Sequence, residues 1–212
     1  MDKKIYLNSF YSASLAVFAP LFIWGNTLSH IPWIFKKLEM NNSTLGYLFM
    51  IFSVVQLVFS QLAGRVIVPN LGSRFSLVIG LIFFSSTPIF FVFSNSINLF
   101  LFAAVPAGIG FGIINTTATA VTSVAENKTN KILQTYYSAF FSMGMLLGGL
   151  CSGLYRYLEF NSYILFFILI LFGLISTLFV FNFGLKKQYD EIEKKEKFKI
   201  PENKLLIYSL YL

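Results

Sequence analysis

Six stretches of the chain contain no Asp, Glu, Lys or Arg and are apolar at most positions: residues 7–29, 45–64, 75–94, 99–122, 132–155 and 163–184. About 20 helical residues cross ~30 Å of hydrocarbon, so each run predicts one membrane-spanning helix. Backbone polar groups have no partner in lipid, which leaves the helix or the closed barrel as the spanning options. A barrel needs strands of about ten residues that alternate apolar and polar, and these runs do not alternate. The pattern therefore predicts an all-α membrane protein. The first run follows Lys3 and Lys4 but is too long for a signal-peptide core and has no small-residue cleavage site after it, so it reads as a retained helix.

The polar positions between the runs set the topology. All nine acids (Asp2, Glu39, Glu126, Glu159, Asp190, Glu191, Glu193, Glu196 and Glu202) fall between runs or at the chain ends. With the N-terminus inside, cytoplasmic segments hold twelve cations and outer segments hold three, Lys36, Lys37 and Arg156. That bias predicts a multi-pass protein of the cell inner (plasma) membrane with both termini cytoplasmic. Residues 1–185 form the expected six-helix bundle, 186–202 a charged cytoplasmic loop and 203–212 the start of a seventh helix. The final eight residues, 205–212, reach only ~12 Å as helix, so this start is expected to be truncated.

Composition adds little to this picture. The chain has 212 residues, 12% of them charged, with 26 Phe and a formal net charge of +7. In a soluble chain that charge would point to nucleic acid; here it is a topology signal, and no nucleic-acid partner is expected. One cysteine, Cys151, cannot form an internal disulfide and reads as a small packing residue. His30 is the sole histidine, which leaves no metal cluster. No ATP-binding GxxxxGK[ST] motif and no nucleophile–base pair are present, so neither an enzyme nor a cofactor is expected.

Small and polar residues inside the runs are the remaining signals. Gly108 and Gly112, Gly144 and Gly148, and Gly149 and Gly153 stand in GxxxG spacing, which marks close helix packing in lipid. Shifting the second run by 89 residues onto the fifth aligns Phe52 and Ser53 with Phe141 and Ser142, and Gly64 with Gly153. This predicts a 3+3 inverted repeat, a transporter arrangement. Intramembrane polar residues mark a substrate path. Ser and Thr often bond their own backbone instead, which leaves Asn26, Gln56 and Asn115, together with Thr119 on the same helical face as Asn115, as candidate substrate contacts. Asn41, Asn42, Ser43 and Thr44 precede the second helix, with Asn42 or Ser43 as its expected N-cap.

The segment joining the second and third helices holds Gly64, Arg65, Gly72, Ser73 and Arg74. It resembles the glycine-and-arginine signature of the major facilitator superfamily. Ile31-Pro32, Leu45-Gly46, Gly108, Gly112, Glu126 and the segment Ala139-Phe140-Phe141-Ser142-Met143-Gly144 resemble a bacterial sugar-transporter-like inner-membrane subfamily within it. The signature loop usually carries an Asp, and none lies between Gly64 and Arg74. The resemblance implies a secondary active transporter of a small solute working by alternating access, of which this chain is the N-terminal half. It also implies that Gly64, Arg65, Gly72 and Arg74 serve a cytoplasmic gate. Expected partners are the lipid bilayer, a small-molecule substrate and a missing C-terminal six-helix half, or a second copy of the chain. The alternative is a stand-alone six-helix assembly or scaffold protein, or an inactive truncated remnant.

Overall fold

The structure, a computed structural model, describes residues 2–189. The charged loop and the seventh-helix start expected from sequence lie almost wholly outside those residues. Within them the chain is helical, and six helical stretches are long and apolar enough to cross a membrane. The first is α1 (Asp2–Ser29), followed directly by the short α2 (Ile31–Leu38). The second is α3 (Asn42–Leu62), which continues through a π-helical turn (Ala63–Ile67) into α4 (Val68–Leu71). Then come α5 (Ser73–Phe93), α6 (Ile97–Phe102) with α7 (Ala104–Thr129), α8 (Gln134–Tyr157) and α9 (Ser162–Phe183).

Helix ends follow local chemistry more closely than hydropathy. Asn41, rather than Asn42 or Ser43, caps α3: its Oδ1 accepts from Thr44 N at 3.1 Å. Ser96 and Asn161 do the same for α6 and α9. Glu126, near the end of α7, accepts from the backbone of Leu133 and Gln134 at 2.7 and 2.8 Å, so a carboxylate on one helix caps the start of the next. The fourth span is interrupted at Ala103. Pro106 has no N–H to offer the Phe102 carbonyl, which explains the break there.

Burial separates the six spans. The spans containing α1, α5 and α7 are more than half buried, whereas that containing α3 is 6% buried. α1 packs on α8, α7, α9 and α5, and α7 packs on α5, α3 and α1. α3 and α8 flank this centre. Their outward faces carry exposed apolar residues, among them Val54 and Leu57 on α3 and Leu146 and Leu150 on α8. Cys151 is also exposed, so it is not a packing residue among the described helices.

Glycines set the closest approaches. A Cβ at Gly108 would lie 2.8 Å from the Phe52 carbonyl oxygen, and one at Gly112 would lie 2.6 Å from that of Gln56, so this pair seats α7 on α3. Gly80 and Gly110 bring α5 and α7 together; a Cβ at Gly110 would lie 2.5 Å from the Gly80 oxygen. Gly25, Gly144 and Gly148 seat α1 on α8; a Cβ at Gly144 would lie 2.7 Å from the Phe18 oxygen, and one at Gly148 would meet the backbone of Phe22. Gly149 is in looser contact, 3.8 Å from Ser29 Oγ, and Gly153 meets nothing within 4 Å. The packing expected of all six glycines therefore does not extend to Gly153, because no described helix passes over that turn of α8.

Candidate functional site

The middle of the bundle holds a partly open pocket of about 260 Å³ lined by Leu21 and Trp24 of α1, Phe52 of α3, Phe84 of α5, Phe111 of α7, and Phe141 and Met145 of α8. Pro20 lies one turn before Trp24 and leaves the Ala16 carbonyl without its helical donor, which loosens the backbone there. The rings form one connected cage. Trp24 stacks on Phe52 at 5.0 Å and 19° and meets Phe84 edge-on at 6.2 Å. Phe111 joins Phe52, Phe84 and Phe141 at 6.1, 6.2 and 6.3 Å. Such offset and edge-to-face contacts are favoured by the ring quadrupoles. Among the lining side chains, only the Trp24 indole carries a hydrogen-bond donor.

The sequence-predicted polar residues do not converge on one point. Asn115 lies one turn beyond Phe111 on α7, and its Oδ1 accepts from the Tyr137 hydroxyl at 3.3 Å. Tyr137 in turn lies one turn before Phe141 on α8. Thr119, a turn further along α7, is exposed and donates to the Asn115 carbonyl at 2.8 Å. Gln56 is half-buried one turn beyond Phe52 on α3. Asn115, Thr119 and Tyr137 are therefore linked on the side of the cage that faces the 64–74 segment, and Gln56 lies toward the same side along α3. Asn26 lies on the other side. It is fully buried, its Nδ2 donates to the Phe22 carbonyl at 2.8 Å, and it does not line the cavity.

Most intramembrane hydroxyls are bonded within their own helix, as the sequence reading expects of Ser and Thr. Thr27, Thr117, Thr122, Ser142 and Thr177 all donate to a carbonyl four residues back. The aromatic cage was not singled out from sequence. Its residues are spread over five helices and look individually like ordinary apolar positions. The available signal was the abundance of Phe together with Trp24 placed just after Pro20.

The 64–74 segment is helical for most of its length instead of a simple tight turn. Gly64 and Arg65 lie in the π-helical turn, where Gly64 is in ordinary contact with Thr116 and Arg65 is exposed. Gly72 has φ +83° and ψ 161°, a backbone shape that glycine supplies without strain. The Arg74 guanidinium lies 4.5 Å above the Phe181 ring of α9. Lys187 donates to the Asn70 carbonyl at 2.6 Å and packs over Gly72. The four candidate gate residues thus share one end of the bundle.

Comparison with known proteins fits this architecture. Multidrug resistance protein 1 of Bacillus subtilis (strain 168) is 27% identical over 184 residues, which cover 84% of this chain and 45% of that protein. Multidrug resistance protein 2 of the same organism is 29% identical over 125 residues, 58% of this chain and 31% of that protein. Quinolone resistance protein NorA of Staphylococcus aureus (strain MRSA252) is 25% identical over 149 residues, 70% of this chain and 37% of that protein. The chain thus spans less than half the length of each of these relatives. The family model for the Major Facilitator Superfamily matches residues 13–210. Six membrane-length helices and this match lead to one conclusion: the chain is a multi-pass membrane protein that belongs to the major facilitator superfamily, a family of transporters and not of enzymes.

Proposed function

We propose that the chain supplies the N-terminal six-helix half of a secondary transporter that exports lipophilic, ring-bearing compounds by alternating access. The observation that carries this reading is the aromatic cage. A polyhydroxylated solute such as a sugar would leave its hydroxyls unpartnered there, at a cost of about 1–3 kcal/mol each. Flat apolar rings would instead gain stacking partners on several sides. The resistance named in the relatives supports the same substrate class. Gln56, Asn115 and Thr119 supply polar contacts at one edge of the cage. A volume of about 260 Å³ lies just below the ~300–1,000 Å³ of drug-sized pockets, which suits a site completed by a second bundle. The sparsely buried α3 and α8 are the surfaces that bundle would cover.

The packing order supports a 3+3 inverted repeat. Exchanging the first three spans with the last three maps the α1–α8 contact onto α7–α3 and the α1–α9 contact onto α7–α5; all four contacts are present. Gly25, where α1 rests against α8, and Gly108 with Gly112, where α7 rests against α3, are then corresponding seats. Both termini are assigned to the cytoplasm on the cation count, with Arg65 and Arg74 at the cytoplasmic gate. Efflux of a fluorescent aromatic cation from cells expressing the full-length protein tests the reading. Trp24→Ala and Phe111→Ala are expected to slow efflux several-fold at equal expression. Unchanged efflux in both variants, or equal competition by a sugar, would overturn it.

A further inference from the structure

The end of the bundle opposite the 64–74 segment holds a polar cluster for which the transport reading has no use. His30, one residue beyond α1, is 0% exposed, and so are Asn26 and Ser152. The His30 Nδ1 lies 2.6 Å from Ser152 Oγ on α8 and 3.2 Å from the Asn26 carbonyl oxygen. Ser152 Oγ donates to that same carbonyl at 3.2 Å. The carbonyl can only accept, so the arrangement that satisfies all three groups is a neutral ring with its hydrogen on Nδ1. The other nitrogen, Nε2, is buried without a hydrogen-bond partner, as is Asn26 Oδ1. The Phe166 ring of α9 stands edge-on to the imidazole at 5.6 Å.

We propose that His30, Ser152 and the Asn26 carbonyl form a proton-operated latch that holds α1 against α8 at this end of the bundle and releases when the ring is protonated. Protonation places a second N–H on Nε2, where the closed packing offers no acceptor, and a buried unpaired donor on a charged ring is costly. The surrounding charges do not compensate. α8 contributes Arg156, whose Nη1 donates to the Ser29 carbonyl at 2.9 Å, and Tyr155, which donates to the Asn161 carbonyl. α2 contributes Lys36 and Lys37; Lys37 donates to the Val92 carbonyl and sits over the rings of Trp33 and Tyr163, the latter from α9. The Arg156 charge repels a protonated ring.

The sign follows from linkage. Burial, the largest influence, pulls the His30 pKa below its ordinary value of 6.5, the Asn26 carbonyl raises it and Arg156 lowers it again. The open form, with the ring in water, binds protons more readily than the closed form. The latch is therefore fully set above the open-form pKa and weakens as pH falls through it. This inference does not depend on which compound is carried.

The test uses the full chain in detergent micelles with a histidine-free affinity tag. Spin labels at Ile97→Cys on α6 and Tyr157→Cys on α8, in a Cys151→Ala background, report how far α8 stands from the rest of the bundle. The distance is expected to lengthen between pH 8 and pH 5.5. It should stay short throughout in His30→Gln, whose amide still bonds Ser152 but takes no proton, and the transition should move to higher pH in Ser152→Ala. Isotope-labelled histidine gives one imidazole signal in the unsubstituted chain, and its midpoint should coincide with the lengthening. A pH-independent distance, a ring that titrates without any change in distance, or a His30→Gln variant that opens like the parent would each overturn the proposal.

Discussion

On α7, Gly108 and Gly112 lie under α3 while Gly80 of α5 closes on Gly110 from another side; on α8, Gly144 and Gly148 lie under α1 and Gly153 lies under nothing. The two helices carry the same kind of spacing in sequence. One is held by neighbours on several sides and the other mainly along a single seam. Small residues in register allow a close approach, but only the rest of the fold supplies the helix that makes it. The helix with one seam is also the one whose far end meets a buried histidine.

The comparison can be broken by size. Gly110→Leu is expected to have the largest effect, because its side chain would meet backbone of α5 at Gly80 and Phe84. Overpacking against backbone costs about 3 kcal/mol or more, and thermal denaturation in detergent should show loss of the folded bundle. Trp24→Ala comes next. It removes one wall of the cage and its ring contacts with Phe52 and Phe84, and should weaken binding of an aromatic cation about tenfold, a loss of ~1.4 kcal/mol, measured by fluorescence titration of the full-length protein. Tyr137→Phe removes a single hydrogen bond to Asn115 and should cost about 0.5–1 kcal/mol of stability, read from the same denaturation curves. Gly153→Ala should do least and in the opposite direction. With open space around it and a better helix former in place, stability should be unchanged or rise by up to about 1 kcal/mol. A loss there as large as that at Gly110 would mean α8 is clamped on both sides after all.

The six spans were legible because desolvating a charge or a bare peptide group in lipid is so costly that spacing alone reveals them. Their ends were less so. Asn41 and Glu126 act through local hydrogen bonds and Pro106 through a missing one, which hydropathy does not register. The π-helical turn at Ala63–Ile67 and its continuation into α4 were hidden for the same reason. Of the candidate site, Asn115 and Thr119 were placed on one face by the 3.6-residue period, and both lie beside the cage. Asn26 meets the same criterion, yet its amide donates to the Phe22 carbonyl and only its backbone carbonyl meets Ser152 and His30, on the seam where Gly25 seats α1 on α8. His30 read as an isolated residue, since its partner Ser152 is 122 positions away.

Lys187 gives the chain beyond the last span a mooring point. Its ammonium holds the Asn70 carbonyl and its stem rests on Gly72, while Gly184 just upstream lies against Arg74. Tension on the polypeptide downstream would therefore be shared between the covalent path into α9 and, through the exposed Lys187 bond, the short α4. In mechanical terms, the segment that follows the bundle is cleated to the joint between its second and third spans, so a pull at one place becomes a torque at the other.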